Sequence, residues 1–271
     1  MRKWSRVVVA ILMVAVAATI TWAAVENRPP PEALYQGKPI SYWLQYQNPN
    51  VIHAMCSLMG TNALPTLVRL LDAQDGPTQR AYRAVWSRIP LGLRLRLPKP
   101  IDSNHVRYQA LFALQQIKPI PEAAVPKVIR IMTTDKDMAF RISAAGVLRF
   151  SGPTNEVVTR ALVSALSDTN EAVRTDVAYI WDVKRDPTIA VPAFIKLLHD
   201  RSPEVRALAA MTLGRYGASA RLALPELLRL RDDFEPSPRD SALKAIQAIE
   251  SSTATMPASG DEILHSLLQP K

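Results

Sequence analysis

The sequence predicts an all-α chain, an α-solenoid of about five stacked helix pairs with terminal caps and one irregular insertion. Three observations carry this. Arginines recur in one slot at Arg107, Arg141, Arg174, Arg206 and Arg239, with steps of 34, 33, 32 and 33. The opening position of a second helix recurs at Pro126, Thr159, Pro192 and Pro225, each step 33. Two registers with one period mean a unit stacked on its own copies, because one helix pair cannot bury its apolar side alone. Composition agrees: 22 spaced prolines, 9 glycines and 6% aromatic residues favour proline-opened helices over sheet. The clearest unit is Pro203–Leu230, in which Gly214 is expected to end the first helix and Pro225 to open the second.

Taken in order, Val7–Val25 is 19 residues without a charge, preceded by Arg2, Lys3 and Arg6. As a helix it would span ~28 Å, close to the ~30 Å of a hydrocarbon core. It reads as an uncleaved signal anchor or a cleaved signal peptide (residues 1–27), and the basic flank places the rest outside the cytoplasmic membrane. Residues 28–48 form a proline-rich spacer and an N-terminal cap. There Gly37-Lys38-Pro39 reads as a turn and Ser41 as a helix N-cap, while Tyr42, Trp43 and Tyr46 cover the open end of the first repeat. The solenoid is expected over residues 49–250, opening with the repeat Pro49–Asp72, in which Ile52 takes the arginine slot. An insertion at 73–100 interrupts it. Thr78–Arg88 is a helix there, and the proline-bounded alternation of leucine and base from Pro90 to Pro100 reads as extended chain with leucines inward and bases outward. Full repeats then fill 104–135, 136–168, 169–200 and 201–232, and 237–250 supplies one more first helix. Leu114, Leu148, Trp181, Leu213 and Ile246 share one core slot, and the pairs Ala144-Ala145 and Ala209-Ala210 let helices approach closely. Residues 251–271 read as a flexible link and a short helix, Asp261–Leu268, which caps the last repeat or binds a partner.

The net charge of +9 is unevenly placed. Residues 1–25 hold +3, and residues 73–101 hold +5, with Arg80, Arg83, Arg88, Arg94, Arg96 and Lys99 against Asp75. The remaining chain sums to +1, so the repeats are not a basic groove of the nucleic-acid kind, and no nucleic acid is expected as partner. The lone Cys56 allows no internal disulfide and reads as a buried thiol.

Pro-Glu-Val-Arg at 203–206, Asn-Glu-Ala-Val-Arg at 170–174, Leu-Gly-Arg-Tyr-Gly at 213–217 and Val-Pro-Ala-Phe-Ile-Lys-Leu-Leu at 191–198 resemble the HEAT-repeat superfamily. The likeness is to the bacterial HEAT-like repeats also found in phycobilin lyases. It covers residues 49–250 apart from the insertion. The whole layout is similar to bacterial HEAT-repeat proteins with an N-terminal membrane segment. The resemblance implies a fold more than a function, because such repeats serve many roles. It also implies that second helices line a concave face. Arg69, Arg130, Lys196 and Arg229, each four residues past the helix-opening position, would then form a stripe there. They are either a partner-binding stripe or ordinary solvated positions between core leucines. Arg206 and its equivalents are expected to pair with turn carboxylates, the recurring series being Asp135, Asp168, Asp200 and Asp232.

The sequence offers no metal, cofactor or catalytic constellation. None of His53, His105, His199 and His265 has a second histidine at helical spacing, one cysteine cannot build a zinc site, and neither a nucleophile elbow nor a phosphate loop is present. The expectation is a non-enzymatic scaffold for an unknown protein or peptide, tethered by residues 7–25 outside the cytoplasm. The alternative is binding of anionic lipid or another polyanion through residues 73–100.

Overall fold

Helix starts follow two local rules. Four first helices begin on Asn or Asp, where Asn48, Asp102, Asp137 and Asn170 each accept a backbone N–H from two residues on; the first helix at Pro203 follows Ser202 with no side-chain cap. Second helices at Pro65, Pro126 and Pro225 have no side-chain cap and carry proline at the start, where a missing N–H costs nothing. The structure, a computed structural model, describes residues 32–45, 48–95, 97, 100, 102–152 and 154–254. Residues 7–25, Tyr46, Arg96, Lys99 and Asp261–Leu268 lie outside the described residues.

The chain opens with a two-stranded hairpin, β1 (Leu34–Tyr35) and β2 (Lys38–Pro39), turned at Gln36 and Gly37, both at positive φ. Helix α1 (Ile40–Trp43) follows. The pairs are α2 (Pro49–Met59) with α3 (Leu64–Leu70), α6 (Ser103–Gln116) with α7 (Val125–Thr134), and α8 (Met138–Leu148) with α9 (Glu156–Ala165). Next come α10 (Glu171–Tyr179) with α11 (Pro187–Leu197) and α12 (Pro203–Tyr216) with α13 (Leu224–Leu230), closed by α14 (Pro236–Ala254). The insertion contributes α4 (Pro77–Trp86) and α5 (Leu91–Arg94). Residues 49–70 are apolar enough by length and composition to cross a bilayer. Gly60, at φ 52°, folds them instead into the first helix pair.

First helices stack in the order α2, α6, α8, α10, α12, α14, and second helices α7, α9 and α11 stack beside them. One apolar core runs between the layers from Ile40 to Ile249. Leu114, Leu148 and Leu213 are fully buried in the shared slot and Trp181 nearly so, while Ile246 is half-buried. Each such leucine contributes roughly 1.5–3 kcal/mol by leaving water. The alanine pairs at 144–145 and 209–210 are fully buried, as close helix approach requires.

Several local expectations are corrected. Gly214 lies inside α12, and the chain reverses at Gly217, φ 55°. Gly214 is needed for packing: a Cβ there would sit 2.9 Å from Ala245 Cα. Pro192 is interior to α11, because Asp186 caps that helix a turn earlier with Pro187 in its first turn. Helix α14 continues through Ser251–Ala254, which the sequence reads as link. Ser41 is no N-cap; its backbone N–H donates to Glu32 Oε2 at 3.0 Å, and Pro39 precedes α1. The first repeat is covered mainly by Ile40 and Leu44, both fully buried, with Tyr42 and Trp43 half-buried.

Candidate interaction surfaces

Four of the recurring arginines form a ladder. Arg141 holds Asp168 through Nε and Nη2 at 2.8 and 3.0 Å, and its Nη1 donates to the Asp135 carbonyl at 2.8 Å. Arg174 holds Asp200 through the same two nitrogens, both at 2.8 Å, and the Asp168 carbonyl at 2.9 Å. Arg206 holds Asp233 at 2.8 and 2.7 Å and the Asp200 carbonyl at 2.9 Å. Arg107 pairs with Asp135. Each carboxylate also accepts an N–H of its own turn, as Asp200 does from Ser202 at 2.9 Å. Burial pushes the Asp200 carboxyl up, but the bonds from Arg174 and Ser202 outweigh it and hold it below the usual range. The bond from Arg206 holds Asp233 low as well. The fourth carboxylate is Asp233, not Asp232; it stands six residues before Arg239, the spacing that every other rung keeps. Asp232 faces solvent beside Arg231. With their donors and acceptors engaged, these groups join repeats rather than await a ligand.

The stripe on the second helices is mostly occupied from within. Arg69 pairs with Glu32 at 2.6 Å, which fastens the N-terminal cap to α3. Arg130 pairs with Asp72 at 2.8 Å, and Lys127 joins the same carboxylate, bridging α7 to the end of α3 across the insertion. Arg229 pairs with Glu226 three residues back at 2.8 Å. Lys196 is exposed and has no ion pair among the described residues. It borders a groove of about 580 Å³ between α9 and α11, where Val163 replaces the basic residue of the series and Ala193 is small. Ile189, His199 and Arg201 complete its rim, and the Arg174–Asp200 pair is in its wall. His199 and Arg201 are absent from the sequence-derived set, although His199 lies three residues past Lys196, within reach of the same face.

One buried charged group stands outside the periodic pattern. Arg185, 1% exposed, has no carboxylate partner among the described residues. It donates to Thr159 Oγ1 at 3.2 Å and to Ser151 Oγ and the Leu148 carbonyl at 3.4 Å, sitting at the end of α8. Trp181 is a core residue; its Nε1 donates to Tyr216 Oη at 2.8 Å, and its ring meets Phe194 edge-on at 5.0 Å. Cys56 is buried, and burial pushes its thiol up to about 11.

The insertion is a helix where expected. No residue of α4 is buried. Val85 is 47%, Leu91 66%, Leu95 79% and Leu97 42% exposed, so the leucines do not face inward. Pro90 is followed by the helical turn α5 rather than extended chain, and a helical period cannot keep alternate residues on one side. Arg83, on the opposite side of α4 from Val85, is held by Asp75 at 2.7 Å, on the half-buried face it shares with Tyr82 and Trp86. Asp75 also accepts the Ser103 N–H at 3.3 Å, pinning the start of the insertion to α6. Arg94 Nε donates to the Ile89 carbonyl at 3.2 Å. Arg80 and Arg88 are exposed and form no ion pair among the described residues.

No curated protein matches the chain significantly. Solved structures similar to it include an archaeal HEAT-like repeats protein from Thermococcus onnurineus NA1, at 17% identity over 78% of this chain and 96% of that one, TM-score 0.42. Human deoxyhypusine hydroxylase in complex with glycerol is similar at 19% identity over 78% and 84%, TM-score 0.43. A designed armadillo repeat protein in complex with a (KR)4 peptide is similar at 16% identity over 75% and 100%, TM-score 0.41. Residues 159–247, from α9 into α14, match the family model described as HEAT repeats, in agreement with the stacked helix pairs there.

Proposed function

We propose that the chain is a non-enzymatic scaffold, tethered outside the cytoplasmic membrane through residues 7–25, that offers its second-helix layer to a protein or peptide partner. The observation that supports this reading best is the groove between α9 and α11. It joins apolar Val163, Ile189 and Ala193 to an unpaired Lys196, with Arg201 beside it. Such a surface suits an apolar side chain flanked by a carboxylate. The ladder beneath keeps the groove's walls fixed, so binding needs little reordering of the scaffold.

Site-specific photo-crosslinking of the full chain in cells tests this. A crosslinker at Ala193 is expected to capture one partner repeatedly, and Lys196→Glu to abolish the capture. A crosslinker at Tyr179, on the first-helix layer, is expected to capture nothing comparable. Equal capture at both positions, or none at Ala193, overturns the reading. Carbonate extraction of native membranes tests the tether: retention in the pellet is expected, and release contradicts it.

A further inference from the structure

Helix α4 buries none of its residues fully. Arg83 is held by Asp75, while Arg80, Ala81, Val85 and Arg88 face solvent. The apolar surface continues along the chain through Leu91, Leu95 and Leu97, all exposed. Tyr82 and Trp86 stack edge-on at 5.5 Å on the same helix. Arginines interleave with these residues, and Asp75, the one acid between residues 73 and 101, is engaged by Arg83. A helix with exposed arginines and almost no acid, followed by exposed leucines, has the chemistry of the zone between lipid headgroups and acyl chains.

We propose that the insertion docks on an anionic lipid bilayer, with Val85, Leu91 and Leu95 entering the interface and Arg80 and Arg88 meeting lipid phosphates. Its placement near a bilayer rests on the tether reading. Glu32 is bound to Arg69 of α3, and α3 leads directly into the insertion, so the N-terminal cap and the insertion share one end of the solenoid. Only residues 26–31 lie between Glu32 and the apolar stretch ending at Val25. Fully extended, that spacer reaches about 20 Å. A chain inserted through residues 7–25 therefore brings this end, rather than α14, to the membrane surface. A protein partner would have to bury the arginines as well as the leucines. A bilayer interface takes both without desolvating the charge.

The test uses the full chain in phosphatidylcholine vesicles with or without phosphatidylglycerol, and in detergent. Single cysteines at Val85→Cys and Leu95→Cys carry a polarity-sensitive fluorophore; Tyr179→Cys, 72% exposed before substitution, is the control. Native Cys56 is buried and stays unlabelled. In phosphatidylglycerol vesicles the probes at 85 and 95 are expected to shift to the blue and be quenched by brominated lipid, while the probe at 179 does neither. Arg80→Gln and Arg88→Gln are each expected to lower the lipid-contacting fraction about fivefold, relative to the contact-free fraction. Water-like emission at both probes in these vesicles overturns the proposal. So does a blue shift that occurs equally in detergent and grows with protein concentration, which assigns the surface to a second copy. Carbonate extraction reads the tether separately. Vesicle retention with water-like probes leaves the tether standing and ends this proposal; carbonate release with lipid-contacting probes does the reverse.

Discussion

The stacked repeats from α8 to α14 and the insertion between α3 and α6 both contain many arginines, yet the two sets live in opposite surroundings. In the repeats, Arg174 has 7% of its side chain exposed and lies flat against both oxygens of Asp200. In the insertion, Arg80 and Arg88 are exposed without ion pairs among the described residues, beside leucines that are exposed as well. The difference comes from what stands one repeat after an arginine. Where a turn aspartate stands there, as for Arg107, Arg141, Arg174 and Arg206, the guanidinium becomes a joint between units. Where none does, it remains available to something outside the chain.

Removing a ladder carboxylate should show the contrast most strongly. Asp200→Ala leaves a buried Arg174 without its counter-ion, and a stability loss of about 3 kcal/mol is expected in chemical denaturation. The acid limb of stability sharpens the same point. Asp200 and Asp233 have folded pKa values below their unfolded ones, so their contribution is fully present above the ordinary aspartate value and lost as pH falls through the folded values. The denaturation midpoint should therefore fall in the region below about pH 4, less steeply in Asp200→Ala than in the parent.

Gly214→Ala comes next. Its Cβ would press on the backbone of Ala245, which cannot swing aside, and a net loss of about 1–2 kcal/mol is expected despite alanine's better helix propensity. Arg185→Met should cost less, under about 1 kcal/mol. The oxygens it leaves keep other bonds: Ser151 Oγ donates to the Leu148 carbonyl at 2.7 Å and Thr159 Oγ1 to the Asn155 carbonyl at 3.0 Å. A large loss at Arg185 would show that a buried guanidinium can be a joint without a carboxylate. The smallest effect belongs to Arg80→Gln with Arg88→Gln, whose midpoint should stay within about 0.5 kcal/mol of the parent.

The periodic part of this architecture was open to sequence reasoning because each repeat states its own spacing. The arginine slot, the shared core position of Leu114, Leu148, Trp181 and Leu213, and the burial of Cys56 all follow from local pattern. Asp233 could have been found by the same rule, since it keeps the six-residue interval that Asp232 breaks. Gly214 misleads because a glycine serves either a reversal or a close contact, and only the position of Ala245 decides between them. The orientation of α4 was not legible either. Amphipathic spacing gives two faces without saying which one meets protein, and here the half-buried face combines Tyr82 and Trp86 with Arg83, held by Asp75. Of the candidate stripe, the register is visible in the sequence. The carboxylates that occupy Arg69 and Arg130 come from Glu32 and Asp72, at distances along the chain that no local pattern encodes.

The most direct test of two arginine populations with two jobs is hydrogen–deuterium exchange of the full chain in detergent and in phosphatidylglycerol vesicles. Slower exchange in vesicles confined to Pro77–Trp86 and the residues just after it, with α8 to α12 unchanged, is the expected result. Unchanged exchange across α4, or new protection spread over the ladder repeats instead, would contradict the account.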